Sequence, residues 1–271
     1  MVTLSVCLET LFTDLSVEER IARIAEIGFR SVEFWHPEGT WDGHRIRTDW
    51  AKDATVLRRA CERHGVTLND FALNAWDGSF GGSPVKPQDR RAYLAQIRKM
   101  VVFARAAGCG KGITLSGAVD PALSRSEMRK NLEEALAEAA QIAAEADFIL
   151  LLEPLNTRVD HPGYYLDSSA EALQIVRTID SPNLKILFDI YHMQIMEGNL
   201  LATIEKNIPW IGHFHAAGVP GRAELFGCEL NYAHILQKIE AYGYQGAFGL
   251  EYFPCLSDHH RSLRETLAYL S

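Results

Sequence analysis

Short apolar runs alternate with longer amphipathic segments from one end of the chain to the other. Eight runs are rich in the β-branched and aromatic residues typical of strands, namely TLSVCL, SVEFW, VTLNDFALN, KGITLS, FILLLEP, KILFDIYH, IGHFHAA and AFGLEYF. The segments between them carry apolar residues three and four positions apart, such as Leu132, Leu136 and Ala139, which is the period of a helix with one buried face. The pattern predicts eight strands that are connected by helices.

Several predicted helices have a marked start. Ser16, Ser124 and Ser168 are each followed three residues later by a glutamate, which is the capping-box pattern. Strands separated by helices pair in parallel, and eight units of about 34 residues suit a closed barrel. A doubly wound sheet lacks support, because no G-x-G-x-x-G motif follows the first strand. We therefore expect residues 1–271 to form a single (β/α)8 TIM barrel domain.

Charge and composition narrow the classes of partner. The chain carries 35 acidic and 27 basic residues, a net charge of −8, which disfavours nucleic acid as the main partner. No apolar run is long enough to span a membrane, and the amino terminus lacks the basic segment of a signal peptide. The five cysteines form no C-x-x-C pair. We expect a cytoplasmic protein with reduced thiols; a homo-oligomer is compatible with the sequence.

Ionisable residues end four consecutive predicted strands. In a barrel of this kind the active site lies where strands end, and here those ends carry Glu153, Asp189, His215 and Glu251. Such residues are costly to bury unless they are paired or bind a metal. Three carboxylates and one imidazole form an oxygen-rich ligand set, which favours Mn²⁺ or Mg²⁺, with Co²⁺ or Zn²⁺ as alternatives. The sequence predicts one divalent metal ion held by these four residues.

Each ligand taken alone has a simpler explanation. A single glutamate at a strand end is usually a helix cap or an ion-pair partner, and only the recurrence on four consecutive strands favours the metal. His213 and His215 are two residues apart, so both face the barrel interior. His215 lies nearer the end of its strand and is the predicted ligand, whereas His213 is equally compatible with a buried structural role.

Two further residues are candidates for contact with the substrate. His192 follows Asp189 by three positions, which places it in the loop above the metal as a proton relay or hydrogen-bond donor. Arg222 lies in the loop after the seventh strand and could hold a substrate carboxylate through two parallel hydrogen bonds. The alternative for Arg222 is an ordinary surface arginine. His36 and Arg158 also lie at this end of the barrel, without a firm prediction for either.

The motifs of the C-terminal half resemble those of a known family. LLEPLNTR, YYLDSS, FDIYHMQIMEGNL, IGHFHAAGVPGRAE, ELNY and GYQGAFGLEYFP are similar to the hydroxypyruvate isomerases of the xylose-isomerase-like superfamily, and the N-terminal half fits more loosely. The resemblance implies metal ligands at Glu153, Asp189, His215 and Glu251. It also implies that Glu153 and Glu251 are the acid/base pair that moves the proton.

Three departures from the isomerase pattern leave the substrate open. His215 stands where these isomerases usually have glutamine, and histidine there is typical of ketose 3-epimerases. The segment AELFGCELNY lacks the usual proline after its glutamate. The segment NAWDGSFGGSPVKP, after the third strand, does not resemble the corresponding isomerase loop. Because that loop would line the substrate pocket, these departures bear directly on specificity.

The predicted chemistry is proton transfer within a small hydroxy-carbonyl compound. The metal would stabilise an enediolate, Glu153 and Glu251 would remove and return the proton, and His192 would donate to the developing oxyanion. Hydroxypyruvate and tartronate semialdehyde form the leading substrate pair, with Arg222 on the carboxylate.

Four alternatives remain. They are a ketose 3-epimerase, a C-glycoside deglycosidase-type lyase that acts on 3-oxo-glycosides with a second small subunit, a non-catalytic metal or sugar binder, and an endonuclease IV-type repair enzyme. The last needs a histidine-rich multi-zinc site and a basic groove, and the sequence indicates neither.

Overall fold

Eight parallel strands form a nearly closed barrel in the computed structural model, which describes residues 2–271. The strands in chain order are β1 (Thr3–Cys7), β2 (Ser31–Phe34), β3 (Thr40–Trp41), β4 (Ile46–Arg47), β5 (Thr67–Phe71), β6 (Lys111–Thr114), β7 (Ile149–Leu152), β8 (Leu184–Asp189), β9 (Ile211–Ala216) and β10 (Ala247–Leu250). The barrel order is β5-β2-β1-β10-β9-β8-β7-β6. Beyond the end of β5, Leu73 N donates to Ile113 O at 2.8 Å and brings β5 against β6. The predicted barrel is confirmed.

Helices connect the barrel strands. They are α1 (Val17–Ile27), α2 (Ala54–His64), α3 (Arg90–Ala107), α4 (Arg125–Glu145), α5 (Ser169–Ile179), α6 (Ile190–Met196), α7 (Leu200–Asn207), α8 (Tyr232–Ala241) and α9 (His259–Leu270). Ser16 and Ser124 form the predicted capping boxes. At α5 the box is only half formed, because the Glu171 carboxylate accepts from the Tyr165 hydroxyl at 2.6 Å instead. No helix of residues 2–271 combines the length and the apolar character needed to cross a membrane.

The sixth strand ends at Asp189 as predicted, although the apolar run KILFDIYH extends three residues beyond it. β8 ends at Asp189, and the residues IYH begin helix α6 rather than continue the strand. The Asp189 carboxylate causes this switch, because it accepts a hydrogen bond from His192 N at 3.2 Å and so caps the helix. His192 therefore lies in the first turn of α6, and its predicted position in a loop is wrong.

A small hairpin, β3–β4, is an addition that the sequence pattern did not predict. A buried ion pair anchors it, with Lys52 Nζ at 2.6 Å from Glu9 Oε1. Lys52 also donates to the carbonyls of His36 at 2.9 Å and Gly39 at 2.6 Å, and Trp41 N donates to Glu9 Oε2 at 2.9 Å. Because both buried charges are satisfied by hydrogen bonds, they fix the hairpin against the end of the barrel where β2 finishes.

Candidate active site

The four predicted metal ligands come together at the carboxyl end of the barrel. Glu153 directly follows β7, Asp189 ends β8, His215 lies near the end of β9, and Glu251 directly follows β10. The Nδ1 atom of His215 lies 3.7 Å from Glu153 Oε1 and 3.6 Å from Glu251 Oε2. All four side chains are buried. Their proximity is what the strand pattern predicted; that they bind a metal stays a prediction.

The donor set fits a divalent cation. One ligand atom each from Asp189, His215 and Glu251 lies within 4.8 Å of the others, and the same is true of Glu153, Asp189 and His192. Both nitrogens of His215 and the Nε2 atom of His192 are buried without a hydrogen-bond partner. Unpaired buried nitrogens beside several carboxylates are costly. A bound cation would satisfy the Nδ1 atom of His215 together with the carboxylates around it. These buried residues could therefore hold a metal ion.

Glu251 is held from two sides. Trp35 Nε1 donates to its Oε1 atom at 2.6 Å, and Arg222 Nη2 donates to its Oε2 atom at 2.5 Å. Burial alone would raise the pKa of Glu251, but Arg222 and His215 outweigh burial and lower it. Burial raises the pKa of Glu153, whose contact with His215 only partly opposes the effect. The two candidate acid/base residues thus have pKa values shifted in opposite directions, as proton donor and acceptor require.

The tautomer of His192 follows from its hydrogen bonds. Asn156 Oδ1 accepts from the backbone N–H groups of Val159 and Asp160 at 3.0 and 2.9 Å, which fixes the orientation of the amide. Asn156 Nδ2 then donates to His192 Nδ1 at 2.7 Å. Burial, followed by the nearby charge of Arg222, lowers the pKa of His192 well below its ordinary value. His192 is therefore neutral, with its proton on Nε2 and available for a ligand oxygen.

Arg222 is not an ordinary surface arginine. Its side chain is only 13% exposed, and the guanidinium carbon lies 5.4 Å from the ring centre of Tyr191 and 5.9 Å from that of Phe253. The Nε atom is buried without a hydrogen-bond partner, although Nη2 is paired with Glu251. Arg222 lines the central cavity and keeps hydrogen-bonding capacity for a ligand.

A cavity of about 530 Å³ is lined by two of the four residues, Glu153 and Glu251. Aromatic side chains form much of its wall, and Ile46 of the β3–β4 hairpin also contributes. The aromatic and imidazole residues are Trp35, His36, Trp41, Trp76, Phe80, His161 and His192. The charged residues of the lining are Glu38, Asp77, Glu153, Arg222 and Glu251, so binding there combines apolar contact with directed hydrogen bonds.

Sequence reasoning missed several of these cavity residues. Trp76 and His161 lie in loops, where no strand period indicates which way a side chain points. The centres of their rings are 5.0 Å apart. Burial lowers the pKa of His161 to about 4, so this imidazole is neutral at pH 7. His36 lines the cavity, whereas Arg158 does not and instead donates to the Ile195 carbonyl at 2.6 Å. The HPG turn at His161 was the available signal, because a turn after a strand end lies at the active face.

Metal affinity should depend on pH. Burial raises the pKa of Asp189 to about 7 in the metal-free protein, yet a metal ligand must be an ionised carboxylate. Burial alone would lower the pKa of His215, but Glu33 and Glu153 raise it well above its ordinary value, and a ligating histidine must also be neutral. Binding must therefore displace protons, and we expect an affinity for Mn²⁺ at least about 10-fold weaker at pH 6 than at pH 8. Titration calorimetry in buffers of different ionisation enthalpy measures both the affinity and the proton release. Asp189→Asn should bind more weakly and with a flatter pH profile; equal wild-type affinity at both pH values would contradict the assignment.

Fold and site together define a class: a (β/α)8 barrel with a buried carboxylate–imidazole cluster where β7 to β10 end. The family model described as the xylose isomerase-like TIM barrel matches residues 21–271. The chain belongs to this family. The resemblance to hydroxypyruvate isomerases is likewise confirmed by curated relatives.

The relatives include two isomerases. The chain is similar to the hydroxypyruvate isomerase of Escherichia coli strain K12, with 31% identity over 94% of each chain. It is also similar to the 2-oxo-tetronate isomerase of Cupriavidus necator, with 31% identity over 91% of each chain. Among solved structures, a Brucella melitensis protein described as an AP endonuclease of family 2 superimposes with a TM-score of 0.87, at 31% identity over 99% of each chain.

Proposed function

We propose that this protein is a metal-dependent isomerase of short hydroxy-2-oxo acids, with hydroxypyruvate as the lead substrate. The observation that carries the proposal is the buried cluster of Glu153, Asp189, His215 and Glu251, in a chain that is similar to two such isomerases along most of its length. Mn²⁺ or Mg²⁺ best suits this ligand set, with Co²⁺ or Zn²⁺ as alternatives.

The proposed reaction moves one proton between neighbouring carbons, and the proton of the substrate hydroxyl passes to the former carbonyl oxygen. A divalent ion bound at the site would polarise the carbonyl and hydroxyl oxygens of the substrate. Glu251, whose pKa is lowered by Arg222 and His215 against the effect of burial, removes the proton from the hydroxyl-bearing carbon. Glu153, whose pKa is raised by burial, delivers a proton to the former carbonyl carbon. His192 donates from Nε2 to the oxygen on which negative charge develops.

Ketose 3-epimerisation is the second candidate, because the cavity is large. Hydroxypyruvate has roughly seven heavy atoms, and even at the ~30 Å³ that a water molecule takes up in the liquid these would fill about 200 Å³. The cavity holds about 530 Å³. The spare volume favours substrates longer than three carbons, among them 2-oxo-tetronate and the ketoses. The cavity would also hold a 3-oxo-glycoside, the substrate of a deglycosidase-type lyase that works with a second small subunit.

A DNA-repair role fits the site less well. The similarity to the Brucella melitensis protein establishes a shared fold and family. However, Arg222 is the one basic side chain lining the cavity among the described residues, and the acidic residues Glu38 and Asp77 also line it. A phosphodiester backbone needs a basic surface, so we retain the small-molecule isomerase.

A substrate panel, assayed with wild type and Arg222→Met, tests this function. The panel comprises hydroxypyruvate, 2-oxo-tetronate, neutral ketoses and 3-oxo-glycosides. We expect wild type to isomerise the two acids. Arg222→Met should raise KM for the acids strongly, since a charge-assisted hydrogen bond contributes about 1.5–3 kcal/mol, and should affect neutral ketoses much less.

The matched control is Arg158→Met. Arg158 lies at the same end of the barrel but does not line the cavity, so its loss should leave the KM values unchanged. An equal loss on acids and ketoses in Arg222→Met would show that Arg222 only shapes its loop and supports Glu251. Turnover of a ketose or a 3-oxo-glycoside, with none of hydroxypyruvate or 2-oxo-tetronate, would move the assignment to an epimerase or a lyase.

We also propose a cytoplasmic location; a homo-oligomer stays compatible with the sequence. All five cysteines are free thiols, and Cys7, Cys61 and Cys109 are buried. Free thiols are typical of a reducing compartment.

A further inference from the structure

A second layer of ionisable groups lies around the two histidines of β9. Glu33, in β2, is buried, with Oε1 at 3.2 Å from His215 Nε2 and Oε2 at 3.2 Å from His213 Nε2. Asp70, in β5, reaches His213 Nε2 at 3.2 Å. The proposed mechanism uses neither carboxylate, although both are costly to bury.

The orientation of the His215 ring places one nitrogen toward the metal site and the other toward Glu33. The Nδ1 atom of His215 faces Glu153 and Glu251, at 3.7 and 3.6 Å, so Nδ1 is the nitrogen placed to bind an ion. Nδ1 can do so only when the ring proton is on Nε2. The Nε2 atom lies beside Glu33, and a carboxylate next to the outer nitrogen of a ligating histidine fixes both tautomer and ring orientation.

The structure makes room for this pair at Gly249 of β10. A Cβ atom at position 249 would lie 2.3 Å from Glu33 Oε1, 2.5 Å from His215 Cδ2 and 3.0 Å from His213 Nε2. Only glycine therefore lets these three side chains approach one another.

We propose that Glu33 is a positioning residue that holds His215 with Nε2 protonated and Nδ1 directed to the metal. The inference rests on the proposed metal site but not on the identity of the substrate. Asp70 contacts His213 and gives no such support to His215. Loss of the Glu33 carboxylate should therefore weaken metal binding far more than loss of the equally buried Asp70 carboxylate.

Calorimetric titration of metal-free protein with Mn²⁺ tests the proposal without any substrate. Removing an outer partner of a metal ligand typically weakens affinity about 10- to 100-fold, and we expect this loss in Glu33→Gln. The control, Asp70→Asn, should stay within about threefold of wild type, because it removes a carboxylate beside His213 only. The melting temperatures of both metal-free variants report whether either fold is damaged.

A double-mutant cycle separates positioning from general damage to the core. In a His215→Gln background there is no imidazole tautomer to hold, so adding Glu33→Gln should change Mn²⁺ affinity by less than about threefold. An equal loss in both backgrounds would overturn the proposal. A second bound equivalent of Mn²⁺ that disappears in Asp70→Asn would also overturn it, since Glu33 would then belong to a second metal site. If wild type binds no divalent ion, the proposed metal site fails as well.

Discussion

Chelation should abolish turnover of the hydroxy-oxo acids, and Mn²⁺, Mg²⁺ or Co²⁺ should restore it. Without a cation, three carboxylates crowd around His215, and no group of comparable charge polarises the substrate oxygens. We expect activity in the stripped protein to fall to background and to recover on titration with the metal. The measurement is initial rate against added metal, alongside metal analysis of the protein before and after stripping.

A chelator already saturated with the same metal is the control for this experiment. It exposes the protein to the chelator molecule without removing the ion, and activity should be unchanged. Full activity in protein that metal analysis shows to be empty would mean that no metal ion takes part in the reaction. The two-glutamate proton transfer would then have to operate without a Lewis acid.

Replacing either candidate acid/base residue by its amide should remove nearly all turnover. Glu153→Gln and Glu251→Gln keep the shape of the side chain but can neither deliver nor accept the substrate proton, and loss of a general acid or base typically costs about 10² to 10⁴ in rate. The kcat values at saturating metal measure the effect. Glu153→Gln should fold normally, because burial already disfavours the ionised form of Glu153 in the wild type. Relief of the repulsion between carboxylates also offsets the loss of metal binding.

Glu251→Gln should be less stable than Glu153→Gln, because it removes the anionic partner of the buried Arg222. Thermal melts and circular dichroism separate this effect from the loss of catalysis. Glu145→Gln, on the exposed end of α4, is the control and should leave kcat unchanged. Near-normal turnover in either active-site variant would show that the proton is moved by another group.

The barrel and its four strand-end residues could be predicted because both follow from short-range pattern. Alternating strand and helix periods define the fold. A charged residue at the end of an apolar run can be recognised from that run alone. Asp189 shows the limit, because the same carboxylate that ends β8 also caps α6, so that His192 lies in a helix and not in the predicted loop. No glutamate or glutamine follows Asp189 three residues later, so the capping-box pattern that marked other helix starts is absent here.

The remaining site residues depend on contacts between distant segments. Glu33 lies inside the apolar run SVEFW. Its contact with His215 depends on the barrel, which directs side chains of β2 and β9 into the same interior although β1 and β10 lie between them. Trp76 and His161 lie in separate loops whose paths no period describes. The hairpin that carries Ile46 has strands of two residues each, too short for any alternation to be recognised. The sequence therefore predicted the candidate catalytic residues better than the residues that line the substrate cavity.

Gly249 restricts how this enzyme can change over evolutionary time. Because a methyl group at that position would overlap Glu33 and His215, alanine there can be accepted only after both side chains have been moved or shortened. Positions 33, 215 and 249 therefore form an epistatic unit, in which the order of substitutions decides whether each intermediate remains viable. Libraries that aim to alter metal preference should vary these three codons together, since scanning them one at a time would discard combinations that function only as a set.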